Sequence, residues 1–169
     1  MTTIWTIGYE HLLPPALAAE LEEARVERVL DVRYRPQSRR AGMSKTRLGE
    51  MLADHRIAYE SRRGLGTPPD IRWLFKNRRV AEGRIAFRAH MEEHAPHELD
   101  RLLDELRDGP RTALLCLEED PAECHRRVLC EALQAREPEL VVVGYALVFH
   151  GRGFQVRQAQ GAEAAGSLA

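Results

Sequence analysis

The spacing of apolar residues predicts most of the elements of this chain. Thr3 to Ile7 (Thr-Ile-Trp-Thr-Ile) alternates and uses β-forming residues, so it predicts a first strand, which Gly8 ends. Pro14 and Pro15 open a helix running to about Arg25, with Leu17, Leu21 and Ala24 along one side. Arg28 to Tyr34 predicts a second strand with Val29, Leu30 and Val32 as its core, and Asp31 and Arg33 intrude near its end. Ser44 stands where it can cap the next helix, in which Leu48, Met51, Leu52 and His55 keep the i, i+3, i+4, i+7 spacing. Ile57 to Glu60 predicts a short third strand. Helices follow over Ile71–Arg79 and Gly83–His94, with Trp73, Leu74, Phe87 and Met91 as expected core.

The clearest helix carries Leu99, Leu102, Leu103 and Leu106 as one stripe and is stopped by Gly109-Pro110. Leu114 to Leu117 is an uninterrupted apolar run, the mark of a strand buried on both faces. After it, Asp120-Pro121-Ala122-Glu123 supplies an N-cap acid, proline at the first helical position and a glutamate at the capping-box position. A helix is expected to start there and to carry Val128, Leu129, Ala132 and Leu133. Leu140 to Phe149 reads as a last strand or bent strand pair. Gly151-Arg-Gly153 then turns the chain into a short strand at Phe154–Arg157, and residues 159–169 form a flexible tail.

Strands separated by helices predict an α/β fold: a single three-layer domain over residues 1–158, with a mostly parallel sheet and helices on both faces. In that topology the turns Gly8–Glu10, Asp31–Arg39 and Cys116–Arg126 follow three different strands at one sheet edge, the edge where open parallel sheets bind ligands.

Composition changes this picture little. The chain has 169 residues, 44% apolar and 30% charged, as expected of one globular domain. It contains no eighteen-residue apolar run and no basic-then-apolar leader pattern, so no membrane partner and a cytosolic location are expected. Three cysteines argue against a disulfide framework. Charge distribution says more than the net charge of −1. Arg33 to Arg47 holds six basic residues and no acid, and Arg62 to Arg88 holds eight against Asp70 and Glu82. Acids gather at Glu20–Glu27, Glu92–Asp108 and Glu118–Glu123. Such segregation suits an anionic ligand, although 23 arginines to two lysines is also a compositional bias that leaves many arginines merely solvated.

Several motif-based chemistries fall away. Gly64-Leu-Gly66 lacks the third glycine of a dinucleotide fingerprint and runs into Pro68-Pro69, and no phosphate-binding G-K-[ST] occurs. Neither Cys116 nor Cys124 has the arginine six residues on that a cysteine phosphatase loop needs. Cys124 and Cys130 sit about 240° apart around one helix and no C-x-x-C pair is present, so neither metal nor cofactor is expected.

What remains is a helix start with arginines around it. Candidate catalytic groups are Asp31 and Glu118 as acid and base, His125 as a group titrating near neutrality, and Cys124 as a nucleophile at a helix start. Candidate substrate contacts are Tyr9, Glu10, Arg33, Ser38, Arg39, Lys45, Cys116 and Arg126. Asp31 and Arg33 also fit a purely structural ion pair, Cys116 fits core packing, and Cys130 reads as an apolar filler.

Taken together, Thr6-Ile-Gly-Tyr-Glu10, Asp31-Val-Arg33, Pro36-x-Ser38-Arg39, Ser44-Lys45, Tyr59, Leu65-Gly66 and Cys116-x-Glu118-x-x-Pro121-x-x-Cys124-His125-Arg126 make the chain resemble the prokaryotic domain of unknown function 488 family over roughly residues 3 to 149. Met43 stands where such proteins often have an aromatic residue. The resemblance implies an α/β domain with the three turns forming one site, and it brings no established reaction. From the residues, the leading expectation is an enzyme, a hydrolase or group transferase, acting on a phosphate-bearing small molecule or nucleotide. The alternatives are a nucleic-acid-binding module using the arginine-rich loops, with few aromatics to stack bases, and a non-catalytic partner domain.

Overall fold

A computed structural model describes residues 1–144, 147–150 and 153–156. Its strands are β1 (Thr3–Gly8), β2 (Arg28–Asp31), β3 (Ala58–Ser61), β4 (Thr112–Cys116), β5 (Val141–Gly144), β6 (Leu147–His150) and β7 (Gly153–Val156), in the order β3-β2-β4-β1-β5-β6-β7. The first five are parallel, and β6 and β7 extend the β5 edge antiparallel. The sheet is thus mostly parallel, with the last expected strand resolved into an antiparallel pair.

The helices are α1 (Pro14–Glu23), α2 (Lys45–Asp54), α3 (Pro69–Lys76), α4 (Val80–His94), α5 (Pro96–Asp108) and α6 (His125–Arg136). Period-2 alternation in the strands sends alternate side chains to opposite faces. Val29, Ala113 and Leu115 meet Leu17 and Leu21 of α1 and Leu48 and Leu52 of α2. Leu30, Leu114 and Val142 meet Phe87 and Met91 of α4, Leu99 and Leu103 of α5, and Val128 and Leu129 of α6. Each such fully buried leucine or phenylalanine contributes about 1.5–3 kcal/mol.

The crossovers decide where a site can form. The chain leaves β1 for α1 on one face and leaves β4, its neighbour, for α6 on the other, so a crevice opens at their carboxyl ends. In register, Gly8 lies beside Cys116, and Asp31 beside Leu115. The chain beyond β4 folds directly over Gly8: a Cβ there would lie 1.8 Å from the Glu118 carbonyl oxygen. Gly8→Ala is therefore expected to lower stability by about 1–3 kcal/mol in urea unfolding, because backbone must move to admit the methyl group. An unchanged midpoint would show that the covering turn yields freely.

Four details depart from the sequence expectation. Strand β2 stops at Asp31 rather than Tyr34. Val32 N–H still reaches the Leu115 carbonyl at 3.1 Å, but Arg33 N–H turns back to the Asp31 carboxylate at 3.2 Å. Trp73 is 52% exposed and Leu74 only half-buried. On α3 the buried position is Ile71, and Trp73 lies about 200° away around the helix. Ser44 occupies the N-cap position of α2 without capping it, since its hydroxyl instead accepts from Ser38 N–H at 2.9 Å and closes the preceding loop. Helices α1, α2 and α3 are followed by Arg25, Arg56 and Arg78 at φ 54°, 58° and 60°, left-handed positions that favour glycine. The expected turn at Gly151-Arg-Gly153 and the tail 159–169 lie outside the described residues, apart from Gly153 at the start of β7. No described helix is long and apolar enough to cross a membrane.

Candidate functional site

A cavity of about 510 Å³ opens at the carboxyl edge of the sheet. Tyr9 comes from the turn after β1. Arg33, Tyr34, Arg35, Gln37, Ser38, Arg39 and Arg40 come from the loop after β2, and Arg72, Phe75 and Lys76 from α3. Cys116, Glu118, Cys124 and His125 come from the end of β4 and the start of α6.

The last group is placed by a two-step turn. The Asp120 carboxylate accepts Ala122 N–H at 2.8 Å and caps a 3₁₀ turn over Pro121–Glu123. The chain then extends at Cys124 (φ −126°, ψ 152°) before α6 begins at His125. The helix thus starts later than its acid-proline signal predicts, and Cys124 rather than Asp120 is its N-cap, with Sγ accepting Arg126 N–H at 3.5 Å. This delay turns the Cys124 thiol inward. Its Sγ lies 3.6 Å from His125 Nδ1, and Cys116 Sγ lies 3.9 Å from the same nitrogen. Cys116 Sγ also donates to Glu118 Oε2 at 3.2 Å. His125 Nε2 donates to the Val32 carbonyl at 2.8 Å, which leaves Nδ1 to face the sulfurs.

The electrostatics of the cluster centre on Cys124. Burial pushes its thiol up, but the Cys116 thiol and the charges of Arg126 and His125 outweigh burial and hold it well below the ordinary thiol range. Cys116 goes the other way, raised by its hydrogen bond to Cys124 and by burial, so it keeps its proton. Burial pulls His125 down, yet the Cys124 charge more than offsets this. Glu118 is raised by burial and by the Cys124 charge. Cys130, in the core face of α6, is pushed up to about 12 by burial and is chemically inert.

Some residues singled out from sequence stand elsewhere than in the cavity wall. Arg126 is 1% exposed and lies behind Cys124, donating from Nε to Sγ at 3.4 Å and from Nη2 to the Glu118 carbonyl. It sets its positive charge against the Cys124 sulfur and makes no cavity wall. Asp31 is fully buried, its carboxylate taken by Arg33 Nε at 2.8 Å, Arg33 Nη2 at 2.6 Å and the Tyr59 hydroxyl. Arg33 itself lines the cavity, with Nη1 donating to Tyr9 Oη and to the Met43 carbonyl. Glu10 is exposed and accepts Glu119 N–H at 3.1 Å, joining two of the turns outside the cavity. Lys45 is exposed on the first turn of α2, also outside it. Tyr9, Arg33, Ser38, Arg39, Cys116, Glu118, Cys124 and His125 are brought together.

Sequence reasoning missed Tyr34, Arg35, Arg40, Arg72, Phe75 and Lys76. Arg40 braces the first turn through the carbonyls of Tyr9, Glu10 and Leu12. Arg72 and Lys76 stand four apart on α3, within the basic excess between Arg62 and Arg88, and that spacing was the available signal. Among the described residues Arg35, Arg39, Arg72 and Lys76 have no acidic partner and no side-chain hydrogen bond. As to metal ligands, Cys124 does diverge from Cys130, but it meets Cys116: the ligating atoms of Cys116, Cys124 and His125 lie within 4.8 Å of one another.

No curated protein and no solved structure matches this chain. The model of one family, described as a domain of unknown function, DUF488, matches residues 15–133. That span is more than half of the chain and takes in the β2 loop, α3 and the whole Cys116–Arg126 turn. The chain therefore belongs to the domain of unknown function 488 family.

Proposed function

We propose that this protein is an enzyme acting on a phosphate-bearing small molecule or nucleotide, with Cys124 as its nucleophile. The observation that carries this reading is the meeting of four cations, Arg35, Arg39, Arg72 and Lys76, which have no acidic partner among the described residues, at a cavity walled by the Cys124–His125–Glu118 cluster. Unpaired guanidinium groups suit phosphate, which they bind bidentately. A thiolate is the reactive form of cysteine, and a cationic surround favours it. The phosphate serves as the handle, and the Cys124 sulfur bonds to an electrophilic centre beside it. The bond to the leaving group breaks, and Glu118, whose carboxyl burial raises, supplies the leaving group's proton. Water or a second acceptor then releases the group from sulfur, giving hydrolysis or transfer respectively.

The test is a thermal-shift panel of nucleotides and sugar phosphates on wild type and variants. One compound is expected to stabilise wild type, and Arg39→Ala or Lys76→Ala to weaken its binding about 10–100-fold, the worth of a charge-assisted hydrogen bond. Glu118→Gln is expected to keep binding and lose turnover. No stabilisation by any compound, together with oligonucleotide binding that falls steeply with salt, would overturn the enzyme reading for a nucleic-acid-binding one. Exposed Trp73, beside Arg72, is the observation favouring that second reading.

A further inference from the structure

We infer that Cys116, Cys124 and His125, with Glu118 as a fourth ligand, form a binding site for one thiophilic divalent cation of the zinc class. Two sulfurs and an imidazole nitrogen select zinc over magnesium or calcium, which take oxygen ligands. The spacing fits the ion. With metal–sulfur bonds of about 2.3 Å and metal–nitrogen bonds of about 2.0–2.1 Å, a tetrahedral site has sulfur–nitrogen and sulfur–oxygen edges of about 3.5–3.6 Å. The corresponding distances are 3.6 Å for Cys124 Sγ to His125 Nδ1, 3.9 Å for Cys116 Sγ to His125 Nδ1 and 3.2 Å for Cys116 Sγ to Glu118 Oε2. The ligating atoms of Cys116, Cys124 and His125 all lie within 4.8 Å of one another, and binding draws them onto the ion.

The supporting groups also fit. The Val32 carbonyl holds His125 Nε2 at 2.8 Å, the outer contact that orients a metal-bound histidine and leaves Nδ1 as the ligand atom. Two thiolates and a carboxylate against a dication and the buried Arg126 guanidinium leave the cluster without net charge, so the filled site can stay buried. All four ligand residues line the cavity, which gives the ion a way in. No C-x-x-C spacing is needed, because the end of β4 and the cap of α6 supply one sulfur each.

Binding takes up the lone pair with which Cys124 would attack. On the catalytic reading above, the metal therefore holds the enzyme off. The binding itself does not rest on that reading.

The test uses the full chain, reduced and stripped with a chelator. Zn²⁺ is titrated in competition with a chromophoric chelator, and Co²⁺ is added separately for its spectrum. Wild type is expected to take one equivalent of Zn²⁺, with Cys116→Ser and Cys124→Ser each weakening it at least about 100-fold and Cys130→Ser leaving it unchanged. Co²⁺ is expected to give a sulfur-to-metal charge-transfer band and tetrahedral d–d bands. One equivalent of Zn²⁺ is expected to slow alkylation of Cys124 by iodoacetamide at least about tenfold. Circular dichroism checks that the variants fold, and Glu118→Gln, which keeps both sulfurs, is the second probe should a serine variant fail to fold. The inference is overturned if wild type binds Zn²⁺ no more tightly than Cys124→Ser, if Cys130→Ser loses as much, or if Co²⁺ binds without a thiolate band. None of these readouts needs turnover, so failure of the metal site and failure of the enzyme reading are told apart.

Discussion

Asp31→Ala is expected to lower the unfolding free energy by about 3–5 kcal/mol, the cost of leaving a buried charge without its partner. The Asp31 side chain has no exposure and accepts from Arg33 N–H, Nε and Nη2 and from the Tyr59 hydroxyl. Removing it strands the Arg33 guanidinium, 6% exposed, with Tyr9 Oη and the Met43 carbonyl as its remaining hydrogen-bond partners among the described residues. The Tyr59 hydroxyl, whose ionisation burial and the Asp31 carboxylate push far up, also loses its acceptor. Because Arg33 is a wall of the cavity, the loss should reach ligand binding as well as stability. Lys45→Ala, on the exposed start of α2, is the matched control and should fall within about 0.5 kcal/mol of wild type. Urea unfolding monitored by circular dichroism measures both. A cost for Asp31→Ala below about 1 kcal/mol would mean that Arg33 finds water or another partner, and that the pair does not hold the end of β2.

The second large effect concerns thiol reactivity. In chelator-treated protein, Cys124 is expected to react with iodoacetamide at about pH 6.5 roughly 10–100-fold faster than an ordinary thiol. Such a thiol is only about 1% ionised there, and the lower intrinsic nucleophilicity of a stabilised thiolate takes back part of the gain. Because Cys124 is shifted down, its reactivity persists below the ordinary thiol range and is lost only as pH falls through the lowered value. The same sign governs stability: the thiolate's contribution is complete above the ordinary thiol range and disappears on acidification through that lowered value. Arg126→Gln removes the adjacent charge and should move the reactivity profile toward higher pH, whereas Cys130→Ser should leave it where it is. Mass spectrometry of the labelled peptide identifies the residue. A profile like that of a free cysteine would remove Cys124 as the nucleophile.

The sequence by itself determined the fold class and most of the elements. Leu99, Leu102, Leu103 and Leu106 fall on one side of α5 because a 3.6-residue period is a local property, and the apolar run at β4 is buried on both faces because nothing polar interrupts it. It also determined that Tyr9, Arg33 and Cys116 would share an edge, since in a parallel sheet every strand ends at the same side. Tertiary structure decided what each ionisable group does there. Asp31 is consumed by a hydroxyl from β3, a partner 28 residues away in sequence. Arg72 and Lys76 reach the cavity only because α3 lies over that edge. Cys116 and Cys124 meet through a strand end and a delayed helix cap whose geometry no periodicity encodes. A hydrophobic pattern reports which face of an element is buried. The fate of a buried charge or thiol depends on distances of a few ångströms between segments remote in sequence, and packing alone sets those.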